Sequence, residues 1–419
     1  MKHIAIIGSG PAGCYLADQL LRLIPDAMID ILEKLPVPFG LIRYGVAPDH
    51  QSTKAVARLF DRVISRDRVS FFGNVEVGRD VRLSELMSLY DVVVLATGAT
   101  RDRRLGIPGE NLPGVIGSGA FVGWYNGHPH AEPPEIKDVR SAVVIGNGNV
   151  ALDVARVLAK SADELAGSDL PREVLVWLAA QPLQEIHIVG RRGATDAKFT
   201  DHELVELGEL QRARPVVIDP TSLSRDTAVV QTLLKFAESQ PRDTPLTINF
   251  HFNLTPVAFV GEDRLREVQF CSVNGEFITL PAQLAVTCIG YETVACCSAA
   301  PENGIFPNQE GKVDDRLYVA GWAKRGPSGT IPTNRVEAQH LAQKISQEIA
   351  GGNRSGGDGL QRLLRERGVS WVDYQGWRRI DAAELACACD QRCREKYTRI
   401  EDMLQAALAC EPKSETALR

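Results

Sequence analysis

The sequence predicts an α/β chain that combines two parallel-stranded βαβ units, the second inserted into the first, with a small helical tail behind them. Three observations carry this. Strand and helix signals alternate from the first residues. A glycine-rich turn joins a strand to a helix twice, at Gly8 to Gly13 and at Gly146 to Ala151. Two short apolar strands ending in glycine, Val92 to Gly98 and Leu284 to Gly290, flank the second turn and read as the crossings between the two units.

Residues 4–7 form a short apolar strand, and residues 11–23 follow with a helical period in Leu16, Leu20, Leu21 and Leu23. Residues 28–33 supply the next strand, which completes one βαβ unit. The second unit opens at Ser141 with Ala142-Val143-Val144-Ile145, continues as a helix through Leu158, and resumes in Ile186-His187-Ile188-Val189. The distance from Ala151 to Arg191 requires an insertion of about 15 residues after that helix. Residues 247–281 alternate apolar and polar, with Ile248, Phe250 and Phe252 against Thr247, Asn249 and His251. That pattern predicts antiparallel strands that finish the inserted domain. GGNRSGGDG at 351–359 reads as a flexible linker, and a helical tail ends near Leu408. The expected division is 1–100 and 292–350 for the outer domain, 101–291 for the inserted domain, and 351–419 for linker and tail.

Composition narrows the function classes. The chain has 419 residues, 44% apolar and 24% charged, with a formal net charge of −6. That balance argues against broad nucleic-acid binding. No apolar run approaches the roughly 18–20 residues that span a bilayer, so no membrane insertion is expected. The start, His3-Ile4-Ala5-Ile6-Ile7 running into a glycine turn, lacks the form of a signal peptide, and a cytoplasmic protein is expected. Nine cysteines in such a chain argue against a disulfide framework. Cys296 and Cys297 are neighbours and make no Cys-x-x-Cys pair. Cys387, Cys389 and Cys393 follow C-x-C-x₃-C without a paired C-x-x-C, so free thiols and no bound metal are expected.

The two turns carry the chemistry. Gly8-Ser9-Gly10-Pro11-Ala12-Gly13 is G-x-G-x-x-G between strand and helix. Gly8 permits the tight turn, Gly10 lets the backbone approach a pyrophosphate, and Gly13 allows close helix–strand packing. The helix N-terminus offers free N–H groups to phosphates. Glu33, 20 residues after Gly13, ends the second strand, where an acid accepts hydrogen bonds from ribose hydroxyls. The second turn, Gly146-Asn147-Gly148-Asn149-Val150-Ala151, is the G-x-G-x-x-A form. Its following strand ends in Gly190-Arg191-Arg192-Gly193, where guanidinium groups replace the acid and favour a 2′-phosphate. One acid and one arginine pair imply two cofactors: FAD at the first turn and NADP(H) at the second. The fold class is therefore α/β with two Rossmann-like dinucleotide-binding domains, the NADP domain inserted into the FAD domain, plus a small C-terminal helical tail.

Longer segments resemble one family, the adrenodoxin reductase-like ferredoxin–NADP reductases. Pro38-Phe39-Gly40-Leu41-Ile42-Arg43-Tyr44-Gly45-Val46-Ala47-Pro48-Asp49-His50 is similar to its flavin-side loop, and Tyr318 to Gly329 to its second flavin contact. Phe71 to Val75, Phe121 to Asn126, Gly146 to Asp153, Gly190 to Gly193, Gly376 to Asp381 and Arg394-Glu395-Lys396 also resemble it. The resemblance implies FAD contacts at Glu33, Leu41, Val75, Trp322, Gly329, Thr330 and Ile331. It implies NADP(H) contacts at Gly148, Asn149, Val150, Ala151, Arg191, Arg192 and Glu203, and places His50, Asp153 and Glu206 around the reacting rings. Two positions depart from the family pattern: Ala194 stands where proline is usual, and Pro332 where glycine is usual.

The resemblance implies hydride transfer from NADPH to FAD, then release of single electrons to a ferredoxin-type iron–sulfur protein, with flavodoxin an alternative acceptor. Plainer roles stand beside these assignments. His50 also suits a turn after Pro48-Asp49, Asp153 an i,i+3 pair with Arg156, and Glu203 with Glu206 a solvated helix face. Two other readings share the plan: a glutamate synthase small subunit, which normally carries a cysteine-rich leader domain, and a flavoprotein NADPH sensor without turnover. Arg101, Arg103, Arg104, Lys324 and Arg325 are expected to steer an acidic partner.

Overall fold

The computed structural model describes residues 1–220, 223, 227–240, 242–295, 300–389 and 391–409. Cys296 and Cys297 lie outside the described residues. Two six-stranded sheets organise the chain. The first runs in the order Lys312–Asp314, Leu317–Val319, Val92–Leu95, Lys2–Ile7, Ala27–Glu33, Val69–Gly73. It is parallel apart from the Lys312–Asp314 edge. The second runs Val115–Gly117, Leu284–Thr287, Ser141–Ile145, Glu185–Val189, Leu246–His251, Ala213–Val217, and is parallel throughout. Strands on both sides of the second sheet's sequence thus belong to the first. The chain passes between them at a short antiparallel ribbon, Arg101–Asp102 against Tyr291–Glu292.

Parallel strands are covered on both faces, so their residues are apolar whichever way they point. In Lys2–Ile7, Ile4 and Ile6 enter one core and Ala5 and Ile7 the other. Each large side chain buried this way contributes about 1.5–3 kcal/mol relative to exposure. The helix Pro11–Leu23 lays Leu16, Leu20 and Leu21 on the first core, but Leu23 is 42% exposed. Ile24, one residue further, continues the 16–20–24 stripe instead.

Two expectations need correction. Leu246–His251 is parallel rather than antiparallel; only Leu254–Val260, Glu267–Ser272 and Phe277–Pro281 form the antiparallel sheet. The polar residues of this strand do not mark an antiparallel edge: Asn249 and His251 are buried, Thr247 is half-buried, and their polar atoms find partners within the sheet. His251 Nε2 lies 3.0 Å from His187 Nδ1, and Asn249 donates to Thr247 Oγ1 at 3.3 Å. The glycine-rich stretch 351–359 is not a linker over its second half, since the helix Gly356–Glu366 begins inside it. Its glycines serve close packing: a Cβ on Gly357 would stand 2.8 Å from Asp30 Oδ2, and one on Gly359 2.7 Å from Leu89 Cδ2. The expected helical tail is present and packs on the first domain. Val372 exchanges two backbone hydrogen bonds with Gly73, and Trp377, Ile380 and Met403 belong to the first core. The insertion expected after the second turn's helix is the helix Arg172–Ala180. Among the described residues no helix is long and apolar enough to cross a membrane.

Candidate active site

At the first turn the protein fills two glycine positions and leaves the third open. A Cβ on Gly8 would stand 2.4 Å from Ala96 O, and one on Gly13 2.1 Å from Gly8 O. A Cβ on Gly10 would meet nothing within 4 Å. Gly10 caps the helix Pro11–Leu23 without a side-chain bond, so the first N–H groups of that helix face the opening. Glu33 closes one side: its carboxylate accepts from Ser9 Oγ at 2.6 Å, Ser9 N at 3.1 Å and Leu35 N at 3.3 Å. Thr97 Oγ1, next to Ala96, is shut off from the surface and has no hydrogen-bond partner among the described residues. An open cradle, free helix N–H groups and an orphaned hydroxyl fit a dinucleotide.

The other residues expected on the flavin side arrive from three directions. Val75 is buried and donates its N–H to Glu33 O at 2.9 Å, whereas Leu41 is 41% exposed. Gly321 packs so closely on the turn that its Cβ would stand 2.6 Å from Ala12 Cβ. Trp322 stacks on Tyr291 with centroids 5.9 Å apart and donates to Ser328 O at 3.1 Å. Gly329, at φ +80°, leads into the helix Ile331–Glu348, which Thr330 caps reciprocally with Thr333. That helix packs along Pro11–Leu23. Pro332 sits in its first turn, where no backbone N–H is needed, so the departure from glycine is tolerated. Ala194, the other departure, is buried in a one-turn 3₁₀ helix.

The second turn repeats the plan. A Cβ on Gly146 would stand 2.3 Å from Cys288 O, while one on Gly148 would meet nothing within 4 Å. Gly148 caps the helix Asn149–Ala159, whose Ala151 is buried and whose Val150 is half-buried. Asn149 Oδ1 accepts from Thr200 N at 2.8 Å, and Asn147 O from Lys198 N at 2.7 Å. These bonds hang the helix Asp201–Gly208 on the turn. Arg191 and Arg192 are exposed, and neither guanidinium makes an ion pair or hydrogen bond among the described residues. Gly190 is a residue the sequence reading passed over: a Cβ there would overlap Asn147 Nδ2 at 1.8 Å.

His50, Asp153, and Glu203 with Glu206 of one helix converge from three segments. His50 Nε2 is 3.0 Å from Glu206 Oε2 and 3.7 Å from Glu203 Oε2, and its Nδ1 is 3.9 Å from Asp153 Oδ1. The expected i,i+3 pair also forms, with Arg156 Nη2 2.7 Å from Asp153 Oδ1. Asp49 and Arg156 were missed as site residues. Arg156 is fully buried and grips Asp49 with two nitrogens, at 2.9 and 3.1 Å, while Lys160 adds a contact at 2.8 Å. Burial pushes Asp153 up to about 6 against the pull of Arg156. Burial also acts on Asp49, but Arg156 and Lys160 outweigh it and hold that carboxyl well below its usual range. His50, Asp49 and Glu206 line a polar cleft of ≈ 420 Å³.

The expected docking charges are largely engaged within the protein. Lys324 lies 3.2 Å from Glu337, and Arg325 pairs with the same carboxylate. Arg101 pairs with Glu292 at 2.8 Å, Arg104 with Glu110 at 3.3 Å, and Arg103 donates to Tyr291 O at 3.2 Å. The reason is the fold: Lys324 and Arg325 turn toward Glu337 on the helix Ile331–Glu348, and Arg101 and Arg103 staple the crossing ribbon. In the tail, Cys387 and Cys389 are exposed and Cys393 is half-buried. Among the described residues these cysteines belong to no set of three donors spaced for a metal.

Residues 2–204 match the pyridine nucleotide-disulphide oxidoreductase family. The chain is 37% identical to the mitochondrial NADPH:adrenodoxin oxidoreductase of Arabidopsis thaliana, over 97% of this chain and 95% of that protein. It is 37% identical to the NADPH-ferredoxin reductase FprA of Mycobacterium tuberculosis, over 97% of this chain and 99% of that one. The structure of Mycobacterium tuberculosis FprA in complex with NADPH superposes with a TM-score of 0.93 at 36% identity, covering 98% of this chain and 100% of that one. With both dinucleotide turns, their distinct strand ends and these relatives agreeing, the chain belongs to the FAD-dependent NADPH–ferredoxin and NADPH–adrenodoxin reductases.

Proposed function

We propose that the protein draws electrons from NADPH and delivers them singly to a small ferredoxin-type iron–sulfur protein. The observation that supports this best is the pair of open turns at Gly10 and Gly148, one beside Glu33 and the other followed by two exposed arginines without a side-chain partner among the described residues. Gly8, Gly10, Ala12, Gly13, Glu33, Leu41, Val75, Trp322, Gly329, Thr330 and Ile331 would hold FAD. Gly148, Asn149, Val150, Ala151, Arg191, Arg192 and Glu203 would hold NADPH. Bound FAD supplies a centre that accepts a hydride and gives up electrons one at a time. The protein's own part is to hold both rings in register, exclude water and keep protons at defined atoms. His50, hydrogen-bonded to Glu206, and Asp153 at about pH 6 are the groups suited to the last task.

Each guanidinium–phosphate contact contributes about 1.5–3 kcal/mol, roughly ten- to hundredfold in binding. Arg191→Gln/Arg192→Gln should therefore lower the NADPH:NADH ratio of kcat/KM by at least tenfold, with FAD retained. An unchanged ratio would make these arginines surface residues only. Wild-type protein should also support ferredoxin-dependent cytochrome c reduction. Ferricyanide reduction without any ferredoxin turnover would point to a different acceptor.

A further inference from the structure

Arg156 touches every carboxylate of the reaction cluster. Its Nε and Nη2 bind Asp49 at 2.9 and 3.1 Å, Nη2 also binds Asp153 at 2.7 Å, and Nη1 lies 3.4 Å from Glu203 and 3.5 Å from Glu206. The three carboxylates that face His50 are thus all held by one buried guanidinium. The fourth, Asp49, is the residue next to His50 in the chain. Three separate segments meet here: the loop before the helix Gln51–Lys54, the helix Asn149–Ala159, and the helix Asp201–Gly208. A planar fork with five donors can serve four carboxylates at once; an ammonium group cannot.

We propose that Arg156 is a positioning residue for electron transfer: it orients His50 through the three carboxylates around it and, through Asp49, sets how the His50 loop meets the inserted domain. This rests on the reading that NADPH and FAD react beside His50. The direct link is the two-nitrogen grip on Asp49, which Lys160 at the end of the same helix supports with a single contact at 2.8 Å. The cluster also explains why a buried arginine is stable here. Four carboxylates surround it, so its desolvation is offset by charge-assisted hydrogen bonds on all three nitrogens.

The test uses three FAD-loaded variants: Arg156→Lys, Arg156→Gln and Asp49→Asn. Arg156→Lys keeps the charge and loses the fork. It should keep its FAD, while kcat for NADPH-dependent ferricyanide reduction falls roughly ten- to hundredfold and KM for NADPH changes much less. Asp49→Asn should fall similarly, and combining it with Arg156→Lys should add little further loss. A second reading needs no turnover. Asp153 is faced by Arg156, Glu203 and His50, and by Tyr125, Tyr291 and Cys288 from neighbouring elements. Losing the Arg156 cation must make its carboxylate less favourable. Carboxyl ¹³C NMR should therefore show Asp153 titrating higher in Arg156→Gln than in wild type. Wild-type kcat in Arg156→Lys, or an unmoved Asp153 titration in Arg156→Gln, overturns the proposal. Failure of wild-type protein to accept electrons from NADPH would instead overturn the functional reading, and the NMR titration would still test Arg156.

Discussion

Gly10 and Gly13 are both invariants of the same short pattern, yet they answer to different forces. Gly13 is required by the protein, since a side chain there would collide with Gly8 O at 2.1 Å. Gly10 is not required by the protein, since its Cβ would point into open space, and on the proposed reading it is the pyrophosphate that needs the room. Gly10→Val should fold with a melting temperature close to that of wild-type apoprotein but purify with far less than one FAD per chain, read from the flavin absorbance. Gly13→Val should fail at folding. Full flavin occupancy in Gly10→Val would place the pyrophosphate elsewhere. At this scale placement was legible wherever a motif is a contiguous run: both glycine turns join a strand to a helix, Glu33 ends its strand, and the arginine pair follows its strand. It was not legible where a side chain's partner lies far along the chain. Nothing local marks Arg156 as the holder of Asp49, 107 residues away. Nothing local marks Lys324 and Arg325 as bound to Glu337 instead of facing solvent.

Among elements, the central strands Glu185–Val189 and Leu246–His251 show how a polar pattern misleads. Alternation points to an antiparallel strand, but here the polar residues are turned into a parallel sheet, where His187 Nδ1 and His251 Nε2 meet at 3.0 Å. The same limit applies to the glycines of 351–359. Composition reads as flexibility, whereas their small size lets the helix Gly356–Glu366 settle on Asp30 and Leu89. The histidine pair has a consequence for stability. Burial pulls His251 down to about 4, with His187 adding to the effect, and burial lowers His187 as well. Both are bases whose folded values lie below the unfolded value of about 6.5. The unfolded chain therefore binds more protons between about pH 6.5 and 4, and stability contributed by the neutral pair is lost as pH falls through that window. His187→Asn/His251→Asn should lose less melting temperature than wild type between pH 7 and 4.5, by an amount on the order of 5 °C. Parallel acid profiles in the two proteins would show that the pair does not drive the loss.

Across the whole molecule, one buried charge network joins segments that are remote in sequence. Lys54 follows the His50 loop, Asn126 ends the helix Ser118–Tyr125, Asp169 lies in the insertion after the second turn, and Lys396 belongs to the tail. Lys54 Nζ lies 2.8 and 2.9 Å from the two Asp169 oxygens, and Lys396 Nζ lies 3.0 Å from one of them. Both ammonium groups also reach Asn126, and Arg43 beside them pairs with Glu384 of the tail. Two lysines thus share one carboxylate. Burial pushes Lys396 well below its usual range, Lys54 and Arg43 push the same way, and Asp169 opposes them. This asymmetry ranks the substitutions. Asp169→Asn leaves both cations buried without a counter-charge, a change that costs about 3–5 kcal/mol when one partner of a buried pair is lost. Lys396→Met removes one of two competing cations and leaves the Lys54–Asp169 pair intact, so it should cost at least about 2 kcal/mol less. Denaturant unfolding monitored by tryptophan fluorescence gives both values. Limited proteolysis gives the structural counterpart: the tail after Gly368 should become cleavable in Asp169→Asn well before it does in Lys396→Met. Equal destabilisation by the two substitutions would mean that Asp169 does not act as the shared counter-charge, and that packing of the tail helices alone holds it against both domains.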